Sequence, residues 1–268
     1  MESYLADHVT RVGAGNGEPL LLIHGLGHCK EAWDPVIGLL GARFDVAAID
    51  LPGFGGAPAL EETPDDHSLS AFCEQVMDGL GWDRAHVAGN SLGGLIAIRM
   101  ASRGRALSAT ALSPGGMIRG WEKPWARGML RVAKHVPSRL LPLGVFSDTV
   151  LGRKALLGLM FGKPGRMTPS YARSAMAAPA RATAFEETLD AVDEIDHLPP
   201  PTVPVTIAWG SRDMLLFPWQ GQRWKATLPD ARLVTLRGLG HVPMPDDPGL
   251  VTDVITRTTE LAQDTAST

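Results

Sequence analysis

Short apolar runs without polar alternation recur along this chain, each followed by a turn or a helical pattern. Leu20-Leu21-Leu22-Ile23 is the first, then Val46-Ala47-Ala48-Ile49, Ala85-His86-Val87-Ala88 and Ala109-Thr110-Ala111-Leu112. Val203-Pro204-Val205-Thr206-Ile207-Ala208 continues the series, and Arg232-Leu233-Val234-Thr235-Leu236 is a further candidate. A strand wetted on one face alternates apolar and polar residues, so unbroken apolar runs describe strands covered on both faces. Residues 68–80, 92–103, 218–227 and 249–262 carry helical patterning between them. Strands alternating with helices give an α/β fold, a mostly parallel central sheet flanked by helices. Ligands of such sheets bind beyond the carboxyl ends of the strands.

Between residues 115 and 190 the alternation stops and a mostly helical pattern rich in Gly and Pro takes over. We therefore expect a core of residues 1–114 and 191–268 with a helical insertion at 115–190. Pro199-Pro200-Pro201 returns the chain to the sheet, since a proline run cannot continue a helix. Charge divides along similar lines. Residues 115–182 hold 12 Lys/Arg against two acids, Glu122 and Asp148, whereas the rest holds 13 basic against 27 acidic residues. The simpler reading is that a basic unit docks on an acidic one; the sharper is attraction of an anionic substrate or membrane surface. The tail from Gln263 to Thr268 is polar and expected to fray.

Composition narrows the class. A 44% hydrophobic and 20% charged chain is ordinary for a globular protein. Its two cysteines, Cys29 and Cys73, are far apart and match no metal-ligand spacing, which fits a reduced compartment. No basic segment followed by an apolar stretch opens the chain, and no run approaches the roughly 18 apolar residues of a membrane span. A cytoplasmic location is expected.

The chemistry concentrates at strand ends. Gly89-Asn90-Ser91-Leu92-Gly93 follows the third run and precedes a helix-forming stretch. A serine on so sharp a turn needs small neighbours, and the turn lifts its hydroxyl above the sheet beside a helix N-terminus. Leu92 N–H is then available to a developing oxyanion, and the turn His24-Gly25-Leu26-Gly27 can aim Leu26 N–H as the second donor. A serine hydroxyl needs a base to take its proton, and an imidazole base needs a carboxylate to hold its tautomer. Asp213, after 203–208, and His241, after 232–236, stand in the order nucleophile, acid, base. Asp193, Glu194 and Asp196 are weaker candidates for the acid because they precede the proline run.

With these segments the chain resembles the α/β-hydrolase superfamily, in its capped, serine-nucleophile branch. The resemblance rests on His24-Gly25-Leu26-Gly27, Asp50-Leu51-Pro52-Gly53-Phe54-Gly55, Gly89–Gly94, Trp209-Gly210-Ser211-Arg212-Asp213 and Gly240-His241-Val242-Pro243, and it spans nearly the whole chain. It implies that residues 115–190 form a lid over the strand ends. Most of the lid's apolar residues are expected to close its own core. A few face the cavity, for which Met117, Trp121 and Met160 are candidates, joined by Gly25, His28 and Val242 from the core.

The expected activity is hydrolysis of an ester or related acyl bond in a small, largely hydrophobic substrate. An epoxide hydrolase or dehalogenase of this fold would carry a carboxylate where Ser91 stands. A carbon–carbon bond hydrolase of vinylogous diketones shares Gly-Asn-Ser-x-Gly-Gly, but an aromatic residue often follows its histidine, where this chain has Val242. A ligand-binding protein that kept the fold usually lacks a triad member, and all three are present. Of eight histidines, seven need another role. His24 braces its loop, His28 sits on the loop surface or else lines the pocket, and His8, His67, His86, His135 and His197 are structural or solvated. Asp50 reads as a turn-forming acid, and Asp246 and Asp247 as caps of the last helix. No cofactor, metal or nucleic acid is expected, the partner is a small-molecule substrate, and homo-oligomerisation stays open.

Overall fold

The computed structural model describes residues 1–15, 17–139, 147–192 and 198–266. Its sheet has seven strands: β1 (Val9–Val12), β2 (Pro19–Ile23), β3 (Asp45–Ile49), β4 (Ala85–Asn90), β5 (Ala106–Leu112), β6 (Val205–Gly210) and β7 (Arg232–Leu236). They lie in the order β1-β3-β2-β4-β5-β6-β7, with β1 antiparallel to β3 and every other pair parallel. This is the mostly parallel, helix-flanked sheet that the sequence predicts.

Side-chain parity explains the apolar runs. Leu21 and Ile23 enter one core and Leu20 and Leu22 the other, and β3 divides in the same way. The first core is closed by α3 (Asp66–Gly79), α4 (Leu92–Ser102) and α9 (Gln220–Thr227); the second is closed by α2 (Asp34–Gly41) and α10 (Pro248–Ala266). Asp65 starts α3 by accepting a hydrogen bond from Ser68 N–H at 2.7 Å.

Three features depart from the expectation. The N-terminal α1 (Glu2–His8), strand β1 and helix α2 carry no clear periodic signal. Strand β1 is an edge strand, half-buried, and is held by pairing with β3 and by Arg11 Nε donating to Asp45 Oδ1 at 2.8 Å. That bond holds the Asp45 carboxyl below its ordinary pKa. Strand β6 starts at Val205 rather than Val203, after Pro204, which has no N–H to donate to the ladder. The tail does not fray at Gln263, because α10 runs on to Ala266.

Helices α3 and α4 are locked by a buried ion pair. Arg99 Nε donates to Asp66 Oδ2 at 2.7 Å, and both side chains are almost fully covered. Removing one partner of a buried pair typically costs about 3–5 kcal/mol. Asp66→Ala should therefore move the urea midpoint sharply down; a shift of less than a fifth of the wild-type stability would show that the pair is not structural.

Among the described residues between β5 and β6 there are four α-helices: α5 (Glu122–Arg139), α6 (Val150–Leu157), α7 (Pro169–Arg181) and α8 (Phe185–Ala191). Thr149 and Thr168 side chains cap α6 and α7. Two of the joints that fasten this insert to the core lie near its ends. Glu122, buried, accepts from Arg223 Nη1 at 2.5 Å and Nη2 at 3.0 Å, from Trp219 Nε1 at 2.6 Å and from Arg119 N–H at 2.9 Å. Burial raises its pKa, but these donors outweigh burial and the net displacement is downward. At the second joint Thr183 N–H donates to Gly53 O at 2.8 Å, and a Cβ on Gly53 would lie 2.3 Å from that of Ala184.

Part of the basic excess is met from within this region. Arg127 pairs with Asp190, Arg131 with Glu186 at 3.0 Å, and Arg173 with Asp148, whereas Lys163 reaches the core at Asp247, 3.3 Å away. Glu186 and Asp190 lie on α8, just beyond the segment whose charges looked unbalanced. Cys29 and Cys73 are free and buried. Among the described residues no helix is long and apolar enough to cross a membrane, and no group of three or more His, Cys, Asp and Glu could hold a metal ion.

Candidate active site

Four loops converge beyond the carboxyl ends of β2, β4, β6 and β7. At the centre Ser91 joins β4 to α4 with φ 56° and ψ −113°, a region that an L-residue enters at a cost of roughly 1–3 kcal/mol. The glycines on either side make this turn sterically feasible. A Cβ on Gly89 would stand 2.0 Å from Gly93 O, and one on Gly93 would stand 2.2 Å from Ile23 O. Ser91 N–H donates to Leu112 O at 2.9 Å, and Ser91 O accepts from Leu95 and Gly115 N–H at 3.1 Å each. The backbone is thus held on both sides while the hydroxyl-bearing side chain lines a small cavity with Leu26, Leu92, Leu215 and Leu216.

The structure brings Asp213 and His241 together. His241 Nδ1 lies 2.8 Å from Asp213 Oδ2, and both residues are at most 3% exposed. Asp213 Oδ1 is occupied separately by Leu215 N–H at 3.0 Å and Leu216 N–H at 2.9 Å. With the carboxylate accepting from Nδ1, the neutral imidazole keeps its lone pair on Nε2, the tautomer a general base requires. Asn90, next to Ser91, completes the link: its Nδ2 donates to His241 O at 2.8 Å and to Leu112 O at 3.0 Å. The end of β4 is therefore tied directly to the histidine loop. The Gly-Asn-Ser triplet was the available signal for Asn90, whose function as a cross-brace depends on a residue 151 positions away.

The Gly25–His28 turn, from which the sequence leads one to expect a second backbone donor, is closed by His28 N–H donating to Gly25 O at 3.1 Å. Gly25 packs against the nucleophile turn so closely that a Cβ there would lie 3.1 Å from Ser91 Cβ. His24 is fully buried and braces this turn. Its Nε2 accepts from Leu51 N–H at 2.9 Å, so Nδ1 carries the proton and donates to Gly25 O at 2.8 Å. Burial keeps its pKa below the ordinary histidine value. Asp50 does more than form a turn: fully buried, it accepts from Lys30 N–H at 2.7 Å and Lys30 Nζ at 2.9 Å, anchoring the segment just after His28. Leu92 opens α4, and the leading N–H groups of a helix have no acceptor within it. Leu26 and Leu92 both border the cavity at Ser91.

Asp246 departs from the reading as a helix cap. Asp247 caps α10 through Leu250 N–H, whereas Asp246 Oδ2 accepts from Gly162 N–H at 2.7 Å and Gly240 N–H at 2.8 Å, and its Oδ1 from Lys163 N–H at 2.7 Å. Burial pushes its pKa up against these three donors. Val242 N–H also donates to Met160 O at 3.0 Å, so the insert grips the loop on both sides of His241.

The substrate-facing candidates divide. His28, Met160 and Val242 line an apolar cavity of about 140 Å³, together with Leu156, Met176 and Phe185. Leu26 and Leu130 border both this cavity and the one at Ser91. Met117 and Trp121 lie elsewhere. Met117 is buried in the core, with its carbonyl bonded to Arg223 Nη1, because its segment leads into the Glu122 joint. Trp121 is 62% exposed and packs on Phe217, with ring centres 5.3 Å apart, on the outer face of the insert. Of the remaining histidines, His86 is buried against Ser108, 2.8 Å away, and His8 lies near Asp50, while His67 and His135 are exposed. Asp193, Glu194, Asp196 and His197 fall outside the described residues.

A model described as the alpha/beta hydrolase family matches residues 20–254. A pimeloyl-[acyl-carrier protein] methyl ester esterase of Neisseria meningitidis is 30% identical over 240 residues, covering 83% of this chain and 86% of that protein. A 2-hydroxy-6-oxononadienedioate/2-hydroxy-6-oxononatrienedioate hydrolase of a Pseudomonas species is 28% identical over 245 residues, with 85% and 83% covered. Among solved structures, a membrane phospholipase A described as a bacterial virulence factor superposes with a TM-score of 0.75 at 25% identity, covering 95% of this chain and 82% of that one. The family match embraces the parallel part of the sheet, the serine turn and the loops of Asp213 and His241, and this chain belongs to the alpha/beta hydrolase family.

Proposed function

We propose that this hydrolase cleaves an ester or related acyl bond of a small, largely hydrophobic substrate through a Ser91–His241–Asp213 triad. The observation that carries the reading is the buried 2.8 Å contact of His241 Nδ1 with Asp213, tied through Asn90 to a serine held at positive φ. In the proposed mechanism Ser91 Oγ attacks the carbonyl carbon as His241 Nε2 takes its proton. The imidazolium formed is stabilised by Asp213, and the tetrahedral oxyanion by Leu26 and Leu92 N–H. His241 then returns the proton to the leaving group, leaving an acyl-enzyme on Ser91. Water, deprotonated by His241, releases the acid. The insert at 115–190 acts as a lid that excludes water and supplies the apolar wall at Leu130 and Met160.

The Pseudomonas relative supports a second reading, carbon–carbon cleavage of a vinylogous diketone by the same triad. Val242 beside His241, in place of an aromatic residue, favours the ester reading. A fluorophosphonate probe should label Ser91 in the folded protein, and p-nitrophenyl butyrate should be turned over faster than a ring-fission diketone. Absence of labelling at Ser91 removes the serine-hydrolase reading, and the reverse substrate order selects carbon–carbon cleavage.

A further inference from the structure

The cavity beyond Leu26 is walled by aliphatic, methionine and aromatic side chains, with one polar exception. His28 lines it, and neither of its buried ring nitrogens meets hydrogen-bond geometry with a described residue, although the Cys29 backbone lies close enough to favour a proton on the ring. His24, four residues earlier, shows what this loop does with a histidine it needs for itself: both nitrogens are bonded to backbone. A buried polar group left unbonded is destabilising, and native structures keep few of them. The His28 ring is also held neutral. Burial, reinforced by the His24 ring, pushes its pKa down to about 4 against the opposing pull of the Cys29 backbone and Glu31. A neutral imidazole offers one N–H donor and one lone pair. It has no charge with which to attract a carboxylate, and a plain hydrocarbon would leave both atoms unpaired.

We propose that His28 is a specificity-determining residue that hydrogen-bonds a neutral oxygen (ketone, ether or hydroxyl) on the apolar part of the substrate filling the cavity between Leu26 and Met160. This rests on the reading of Ser91 as the nucleophile, because that cavity adjoins the one at Ser91 through Leu26 and Leu130. The substrate is then an oxygenated hydrophobic ester rather than a simple fatty acyl ester. A site built to bond an oxygen discriminates strongly against an analogue that lacks it, whereas a purely apolar pocket prefers the hydrocarbon.

The test uses substrate pairs that differ by one carbonyl. On the acyl side these are p-nitrophenyl hexanoate against 5-oxohexanoate and heptanoate against 6-oxoheptanoate. On the alcohol side they are pentyl butyrate against 4-oxopentyl butyrate. In the wild type at least one oxo-substrate should exceed its hydrocarbon partner at least tenfold in kcat/KM. His28→Leu should reverse that order, and His28→Gln, which keeps a donor and an acceptor, should restore part of it. Hydrocarbon preference throughout in the wild type, or a ratio unmoved by His28→Leu, overturns the proposal and would mean that His28 bonds only water. Titration calorimetry on Ser91→Ala with the same pairs separates the two readings. An oxo-preference in Kd that His28→Leu abolishes, with no turnover by the wild type, retains His28 as the recognition residue and removes the hydrolase reading. Turnover without an oxo-preference does the opposite.

Discussion

Ser91→Ala is expected to lower kcat for p-nitrophenyl butyrate by roughly four to six orders of magnitude while the protein stays folded. The substitution removes the attacking atom but leaves the amides of Leu26 and Leu92, so a residue of catalysis over water should survive. The buried His241–Asp213 pair does not depend on the serine hydroxyl, since Asp213 is also held by Leu215 and Leu216 N–H. The same position carries a stability prediction of opposite sign. Its φ of 56° suits glycine, so Ser91→Gly should be as inactive as Ser91→Ala yet melt at a higher temperature. Circular dichroism and a thermal melt beside the ester assay check both. Ester turnover within tenfold of wild type in either variant would assign the nucleophile to another residue.

Asp213→Asn should reduce kcat by about four orders of magnitude with little loss of stability. The amide oxygen can still accept from Leu215 and Leu216 N–H, so the loop keeps its shape. Its NH₂ then points at His241 Nδ1 in place of a carboxylate oxygen, which forces the ring proton onto Nε2. That nitrogen can no longer accept a proton from Ser91, and no negative charge stabilises the imidazolium. In the proposed mechanism the three groups act as a unit, so Asp213→Asn in a Ser91→Ala background should cost almost nothing more. Additive losses in the double variant would mean that Asp213 acts independently of the serine.

The fold was legible where burial on both faces leaves a mark in one dimension. Leu20–Ile23 and Val46–Ile49 are apolar at every position because each strand feeds two cores. β1 was not legible, because an edge strand with Thr10 and Arg11 in it is defined by its partner β3 and by the Arg11–Asp45 bond. The serine turn was legible for steric reasons. Backbone approaches such as Gly89 to Gly93 admit no Cβ, so the glycines mark the geometry directly.

The sequence by itself thus determined the layered α/β architecture and the identity of the chemically competent groups at its strand ends. Those features follow from local sterics and from side-chain parity, which operate over a few residues. The tertiary structure alone decided which of them share a space and what surrounds them. Glu122 meets Arg223 across 101 positions, Asp246 meets Gly162 across 84, and Asn90 meets His241 across 151. It left Trp121 exposed and set His28 on a cavity wall, because exposure depends on how the insert docks rather than on the apolar character of a residue. The pattern around Ser91 names an atom and its activation, and the walls from Leu26 to Met160 set what that atom can reach.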